Sequence, residues 1–236
     1  MFTTLLAQRE AEARPIRVGI IGTGKFGGAL AIQVTGARGM VVGAIADIHP
    51  GRARQAYVNS GIPSEAVRAA ETVQELNDAV HKGVPVVVED GLMLSHCEPL
   101  DVIIEATGIP AVGARMAYEA ITHNKHIVMV NVETDVTIGA LLRRMADSAG
   151  VVYTLVDGDQ PGTTMNMVDW ARALGFEIVA AGRGTIFYKD DRAGTPDSVP
   201  ERFGFSQEMI ERRTINLKMF NSFRDGSKAQ LEMTFS

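Results

Sequence analysis

The chain has 236 residues, of which 46% are hydrophobic and 22% charged, and its formal net charge is −5. This composition is typical of a globular protein with room for one domain and part of a second. The negative charge and the lack of a basic run argue against nucleic acid or an anionic membrane as partners. No stretch approaches the length of a membrane span. The single cysteine, Cys97, excludes an internal disulfide and fits a reducing cytoplasm, the location we expect.

Short runs rich in Val and Ile alternate with helical patterns along the first two thirds of the chain. A short amphipathic helix is predicted over 1–13, and we expect it to pack on the domain or on a partner subunit. The predicted strands are 16–21, 41–46, 84–88, 102–106, 127–130 and 151–156. The predicted helices lie at about 25–35, 51–60, 65–82, 110–123 and 136–149. This alternation predicts an α/β fold with a Rossmann-type doubly wound parallel sheet.

The first predicted strand runs directly into Gly22-x-Gly24-x-x-Gly27, and a helical pattern follows at once. The first glycine allows a tight turn, the second lets the backbone approach a phosphate, and the third lets helix and strand pack closely. Unpaired N–H groups at a helix N-terminus attract anions. The pattern therefore predicts a site for the pyrophosphate of a dinucleotide, although a plain strand-to-helix turn is the alternative. The residues predicted to form it are Gly22, Thr23, Gly24, Lys25, Phe26 and Gly27.

Asp47 ends the second predicted strand, where the fingerprint places the carboxylate that binds the adenosine ribose. It could also cap the helix that opens at Pro50, and one side chain can serve both purposes. Arg52 or Arg54 could hold a 2′-phosphate. The choice between NAD and NADP therefore stays open, with a lean toward NADP.

The ends of the next two strands carry further candidates. In doubly wound sheets the ligand lies over the carboxyl ends of the strands. The residues expected to face the cofactor there are Ala106, Thr107, Gly108, Asn131 and Glu133. A tight turn before Pro110 is the alternative for the first group, and Asp135 is a candidate helix cap. His123 and His126 straddle a helix end and a strand, so no metal site is predicted.

The character of the sequence changes near Asp157, and we expect an NAD(P)-binding domain over 1–157 and a partial α+β catalytic or dimerisation domain over 158–236. A turn-rich loop is followed by a predicted helix at 163–174 and a strand at 177–181. Residues 184–206 are polar but carry four aromatic side chains, which favours a substrate-side loop over a linker. The last residues resemble an element cut off midway, so the chain is expected to be a fragment.

Reduction of a carbonyl by hydride needs a proton donor or a cation near the developing alkoxide. The densest group of candidates lies at 221–228, although a solvated hairpin with Asp225-Gly226 at its turn is the alternative. The predicted catalytic residues are Lys228 as first choice, Asn221 and Asp225 to position it, and Lys218 and Lys189 as further candidate lysines.

Taken together, these segments resemble the homoserine dehydrogenase-like group of NAD(P)-dependent oxidoreductases. The chain is similar, more narrowly, to the deoxyxylulose phosphate reductoisomerase-like branch, whose members usually carry an additional C-terminal antifreeze-like domain. The segments that carry the resemblance are IGTGKFG (21–27), Asp47, EATG (105–108), KHIVMVNVE (125–133), VVYTLVDGDQPG (151–162) and NSFRDGSK (221–228). Two positions depart from it, because no lysine follows Asn131 and Arg183 stands where a lysine is expected.

The residues and the resemblance together predict an NAD(P)H-dependent oxidoreductase that reduces the carbonyl of a small polar or phosphorylated substrate. The resemblance implies that the chain is the N-terminal portion of a longer enzyme and, in the narrower branch, a role in isoprenoid biosynthesis. We expect a homo-oligomer. The alternative is a nucleotide-sensing or scaffold protein that keeps the fold and lacks catalysis.

Overall fold

The computed structural model describes residues 2–158, 160–184, 186–213 and 215–234. The chain divides into two compact units, Met1–Val156 and Asp157–Ser236. None of the helices in the described ranges combines the length and the apolar character that crossing a bilayer requires.

Seven parallel strands form one sheet in the first unit, in the order β3-β4-β2-β1-β5-β6-β7. The strands are β1 (Ile16–Ile21), β2 (Met40–Ala46), β3 (Arg68–Ala69), β4 (Val86–Val88), β5 (Val102–Glu105), β6 (His126–Met129) and β7 (Tyr153–Leu155). The order runs outward from β1 in both directions, so the topological switch point lies between β1 and β5. The predicted α/β sheet is confirmed, and the carboxyl ends of these two strands form the edge at which sheets of this topology bind ligands.

The first unit contains eight α-helices in its described residues, and several of them cover the two faces of the sheet. They are α1 (Phe2–Ala11), α2 (Lys25–Gly36), α3 (Pro50–Asn59), α4 (Val73–His81), α5 (Leu92–Ser95), α6 (Pro110–Thr122), α7 (Val132–Thr134) and α8 (Ala140–Ala149), with a π-helical turn at Asp135–Gly139 just before α8. A proline at the first position starts α3 and α6, where its fixed φ suits the helix.

The single helix predicted over 65–82 is wrong. Arg68 and Ala69 pair with β4 as a short edge strand, and α4 begins only at Val73. The reason is local, because Thr72 and Glu75 form a capping box that starts a new helix there.

The core lies on the two faces of the sheet, because central parallel strands are buried on both sides. One face, which includes Val18, Ile20 and Ile45, packs with the fully buried Tyr57 of α3. The other face packs with α4, α6 and α8 through residues such as Leu76 and Leu142. This double burial holds the carboxyl ends of the strands in fixed positions.

The regular secondary structure in the described residues of the second unit is all helical. Its helices are α9 (Gln160–Ala173), α10 (Val199–Phe203), α11 (Gln207–Arg213), α12 (Leu217–Arg224) and α13 (Ser227–Thr234), with 3-10 turns at Lys189–Ala193 and Pro196–Ser198. The strand predicted at 177–181 is wrong, since the described residues form no strand there. Val179 is 92% exposed, and no neighbouring strand there offers it a partner. The hairpin alternative at Asp225-Gly226 is also wrong, since Gly226 (φ +81°) joins α12 to α13.

The predicted N-terminal helix is present as α1, but none of its described residues is buried. It approaches the sheet domain at the turn before β2, where a Cβ on Gly39 would lie only 2.1 Å from the carbonyl oxygen of Leu6. Gly39 also has φ +67°, which disfavours any side chain. This turn therefore accepts α1 only because position 39 is glycine.

We expect Gly39→Ala to lower the free energy of unfolding by about 1–3 kcal/mol, because the new methyl group meets both the strained φ and the Leu6 carbonyl. Urea denaturation measures the change. Gly36→Ala is the matched control, since Gly36 ends α2 with open space around it, and it should be neutral or stabilising by up to about 1 kcal/mol. Equal effects of the two substitutions would contradict this account of the turn.

Candidate functional site

The glycine turn after β1 has two positions that the fold requires and one that it leaves open. Gly22 has φ +90°, and a Cβ there would lie 3.0 Å from the backbone of Ala106. A Cβ on Gly27 would lie 1.9 Å from the carbonyl oxygen of Gly22. Gly24, the N-cap residue of α2, has nothing within 4 Å of its Cβ position. The space beside Gly24, at the N-terminus of a twelve-residue helix, is where an anion can approach the backbone.

The side chains of the other predicted turn residues lie at this surface. Lys25 and Phe26 are exposed in the first turn of α2, and Phe26 has 61% of its surface accessible. The Lys25 ammonium group therefore adds a positive charge beside the open helix N-terminus, which favours an anion there.

Asp47, at the end of β2, is tied to the glycine turn. Its Oδ2 accepts the Thr23 N–H at 2.9 Å and the Thr23 hydroxyl at 2.5 Å, while Oδ1 accepts the His49 N–H at 2.9 Å. Burial opposes ionisation, but these hydrogen bonds and the nearby Arg52 outweigh it and lower the pKa of Asp47. The proposed cap role of Asp47 for α3 is wrong, because the N-cap of that helix is His49.

Two arginines were candidates for a 2′-phosphate, and the structure separates them. Arg54 Nη1 donates to the carbonyl oxygens of Ser64 and Val67, both at 2.7 Å, so this guanidinium closes the loop after α3. Arg52 is exposed in the first turn of the same helix and acts electrostatically on Asp47. Of the two, only Arg52 is placed to meet a ligand at the end of β2.

The end of β5 is built around Glu105, which is fully buried. Its Oε1 accepts the Thr107 N–H at 2.8 Å and also the Thr107 hydroxyl. Gly108 follows with φ +68°, and the backbone of Ala106 lies against the glycine turn. Ala106, Thr107 and Gly108 therefore stand at the switch point between β1 and β5, while Glu105 points into the protein.

Asn131, after β6, is buried beside Glu105. Its Oδ1 accepts the Thr134 N–H at 3.3 Å, so Asn131 caps α7, and the cap role expected for Asp135 is wrong. The buried Nδ2 of Asn131 and Oε2 of Glu105 make no full hydrogen bond in the described residues. Both atoms lie within 3 Å of the position that a Cβ of Gly113 would occupy, at 2.6 and 2.8 Å. Gly113 thus lets α6 cross over a buried polar cluster, which we define as Glu105, Asn131 and Thr134.

The surroundings shift the pKa values of Glu105, in this cluster, and of the nearby Tyr153. Burial raises the pKa of Glu105, although the hydrogen bonds from Thr107, and to a smaller degree the nearby Asn131 amide, oppose the rise. Burial and the Asp135 carboxylate also raise the pKa of Tyr153, whose hydroxyl donates to Asp135 Oδ1 at 2.7 Å. Glu105, at the carboxyl end of β5, and Tyr153 therefore both hold their protons more tightly than usual. Glu133, two residues after Asn131, is half-buried.

The second unit is organised around one buried carboxylate that sequence reasoning missed. Asp191 is 2% exposed; Arg202 Nη2 donates to its Oδ1 at 3.0 Å and Arg224 Nη2 to its Oδ2 at 2.8 Å. The rings of Tyr188 and Phe203 flank the Arg224 guanidinium at 5.6 and 5.1 Å. The sequence signal in this region was the aromatic content of 184–206. The rings of Phe203 and Phe205 pack against Phe220, whereas Tyr188 keeps 63% of its surface exposed.

The predicted catalytic residues fall into two groups. Asn221 is buried, and its Nδ2 donates to the Gly194 carbonyl at 3.1 Å and to Asp225 Oδ2 at 2.8 Å, so the structure brings Asn221 and Asp225 together. Lys228 is buried on α13, with Nζ 3.7 Å from Oε1 of Glu232. By contrast, exposed side chains are found at Lys189, Lys218 and Arg183.

Comparison with known protein families gives a match for the second unit. Residues 158–235, about a third of the chain, match the family model described as "Oxidoreductase DRL, catalytic domain". Comparison with curated proteins gives no match.

Several solved structures are similar to the chain at low identity. They include the putative oxidoreductase yvaA from Bacillus subtilis (17% identity, TM-score 0.47, 68% of this chain and 39% of that one), scyllo-inositol dehydrogenase from Lactobacillus casei with bound NAD(H) and scyllo-inositol (16%, 0.47, 67% and 42%) and the WlbA dehydrogenase from Bordetella pertussis with NADH and UDP-GlcNAcA (20%, 0.48, 69% and 44%). The chain therefore spans less than half the length of each of these proteins.

The raised pKa of Glu105 predicts a pH dependence of stability. The folded state binds this proton more tightly than the unfolded chain does, so its contribution to stability declines as pH rises above about 4.3 and through the folded pKa. The difference in unfolding free energy, wild type minus Glu105→Gln, should fall over this range in urea denaturation. Glu75→Gln is the control with opposite sign, because backbone hydrogen bonds lower the pKa of Glu75. A flat difference for Glu105→Gln would contradict the assignment.

Asp191→Asn should destabilise the second unit by about 2–3 kcal/mol, because it leaves the guanidinium groups of Arg202 and Arg224 without their counter-charge. This loss of stability is smaller than for a fully buried ion pair, since both arginines keep some contact with water. Trp170 on α9 gives a fluorescence probe in this unit during denaturation. The neighbouring exposed Asp190→Asn should change stability by less than about 0.5 kcal/mol. Similar losses in both variants would argue against the ion-pair explanation.

Proposed function

We propose that this chain is part of an NAD(P)H-dependent oxidoreductase that reduces the carbonyl of a small polar or phosphorylated substrate. The observation that carries the proposal is the open space at Gly24. The fold requires glycine at the flanking positions Gly22 and Gly27, but it does not require glycine at position 24. The match of residues 158–235 to an oxidoreductase catalytic domain supports the reaction class.

The residues at the switch point suit a dinucleotide. The N-terminus of α2 offers backbone N–H groups to a pyrophosphate, and the vacant space at Gly24 is the cradle that a side chain would fill. Asp47 Oδ1 accepts only one hydrogen bond from the described residues, so it retains capacity for a ribose hydroxyl. Arg52 beside it would meet a 2′-phosphate, which supports NADP over NAD.

The bound nicotinamide would supply the hydride, and the protein would supply position and charge. In our proposal the second unit holds the substrate, with Lys228 as the candidate cation or proton donor and Asn221 and Asp225 as positioning residues. The guanidinium groups of Arg202 and Arg224 exceed the charge of Asp191 by one, a balance that favours an anionic substrate.

Within this class we propose the deoxyxylulose phosphate reductoisomerase-like branch of the homoserine dehydrogenase-like group. Its support is the resemblance of the segments 151–162 and 221–228; residues 158–162 and the whole of 221–228 lie within the range matched by the family model. We extend the proposal to a cytoplasmic homo-oligomer.

One observation favours a second candidate, a nucleotide-sensing or scaffold protein without turnover. Lys228 is buried and paired with Glu232, so its ammonium group is not presented to solvent. Under this alternative the cofactor binds, no substrate is turned over, and neither Lys228→Met nor Lys218→Met alters the affinity for NADPH. Loss of substrate reduction in Lys228→Met with unchanged NADPH affinity would decide for the enzyme.

Gly24→Ala separates cofactor binding from folding. The methyl group meets no atom within 4 Å in the protein, so stability should be unchanged, whereas it fills the space that a pyrophosphate needs. We expect NADPH affinity to fall by at least about tenfold, or about 1.4 kcal/mol, in a fluorescence titration. Parallel titrations with NADH measure the preference between the two cofactors.

Gly28→Ala is the matched control for that titration. Gly28 lies in the same helix, and its Cβ would make only an ordinary contact with the Thr23 carbonyl at 3.8 Å. This variant should bind NADPH like the wild type. Absence of binding to wild-type protein, or unchanged affinity in Gly24→Ala, would remove the main support for the proposed function.

A further inference from the structure

Three side chains with metal-binding atoms meet where α5 and α6 end. His96 Nε2 lies 3.7 Å from Glu119 Oε2, and His123 Nδ1 lies 3.7 Å from the same oxygen. The two imidazole rings are 4.0 Å apart between centroids, and one ligand atom from each residue lies within 4.8 Å of the other two. This group stands apart from the glycine turn and from the buried polar cluster.

The end of α6 explains how Glu119 and His123 come to share one face. His123 is the C-cap residue, one turn after Glu119, and Asn124 follows in the left-handed conformation at φ +57°. The N–H of Lys125 then bonds the Ala120 carbonyl at 2.8 Å. This is the hydrogen-bond pattern of a Schellman motif, and it fixes the backbone under His123.

His96 is held in place by the segment that follows it. Lys125 is 8% exposed, and its Nζ donates to the Glu98 carbonyl at 2.9 Å and to the Leu100 carbonyl at 2.8 Å. The residue just after His123 and Asn124 therefore ties down the loop that begins at His96. Both halves of the group are fixed by the fold of the protein itself, so little ordering is left for a ligand to impose.

We propose that His96, Glu119 and His123 bind one divalent transition-metal ion of the zinc type. Two imidazoles and a carboxylate form a donor set that suits Zn²⁺ and disfavours Mg²⁺ or Ca²⁺, which prefer oxygen ligands. In a tetrahedral site with bonds of about 2.0–2.1 Å the ligand atoms are about 3.3 Å apart. The two separations of 3.7 Å to Glu119 therefore close by a few tenths of an ångström, and the two imidazole nitrogens, which lie within 4.8 Å of each other, close by up to about 1.5 Å.

Occupation of the site changes two existing contacts of His123 Nδ1. This atom lies 2.8 Å from the Glu119 carbonyl oxygen and 3.4 Å from the Thr122 hydroxyl, and the metal replaces both contacts. The three side chains keep between 26% and 44% of their surface exposed, so water can complete the coordination. The ion would link the end of α5 to the end of α6 and stabilise the first unit by mass action. His126 takes no part, since its Nδ1 accepts the Val152 N–H at 2.9 Å.

The test is calorimetric titration of the full, tag-free chain with ZnCl₂, repeated with Co²⁺ so that ligand-field absorption reports the coordination geometry. We expect one saturable site per chain, a higher melting temperature with Zn²⁺ and a tetrahedral Co²⁺ spectrum. His96→Ala and Glu119→Gln should each weaken Zn²⁺ binding by more than about tenfold, since even the loss of an outer-shell partner commonly costs that much.

His81→Ala is the matched control, because His81 is exposed at the end of α4 and lies outside the group. It should bind Zn²⁺ like the wild type. Circular dichroism of each apo variant checks that the fold is retained, and Glu119→Gln preserves side-chain shape if His96→Ala does not fold. No saturable binding to wild type, unchanged affinity in both ligand variants, or an equal loss in His81→Ala would each overturn the proposal.

Discussion

The close approach of two backbone segments, at Gly22 and Gly27, is the constraint on which the rest of the first unit depends. With 1.9 Å between a Cβ on Gly27 and the Gly22 carbonyl oxygen, no side chain fits, and α2 must start directly over the end of β1. Asp47 then joins β2 to the same turn through Thr23. Because three elements meet there, the orientation of the helix N-terminus follows from the packing of the sheet and needs no ligand to establish it.

The fold of the first unit could be predicted because its strands are short, apolar and separated by helical patterns. β1 has the bounds that the Val and Ile pattern predicts, and β2, β5 and β6 agree within one residue at each end. The pattern missed β3, since an exposed two-residue edge strand has no hydrophobic periodicity and is defined only by its pairing with β4.

The candidate sites show a different limit of sequence reasoning. The glycine turn could be predicted from the sequence, because the spacing of its glycines follows from local backbone sterics. By contrast, Asp191 finds Arg202 and Arg224 at separations of 11 and 33 residues, and His96 finds His123 across a strand and a helix. No spacing rule covers such pairs, so only the packed structure reveals them. The strand predicted at 177–181 is wrong because a local pattern is not enough to form a strand: its apolar residues alternate as in a strand, but no neighbouring strand in the described residues pairs with it.

The π-helical turn at Asp135–Gly139 has a consequence for the whole segment that follows it. A turn closed by i to i+5 hydrogen bonds holds one residue more than a continuous α-helix would, so every side chain of α8 is rotated by about 100°. Leu142 and Ala146 owe their buried positions against the sheet to this phase change. The length of this segment therefore matters as well as its composition: loss of a single residue from the turn would rotate α8 back by the same angle and turn part of its polar face toward the sheet.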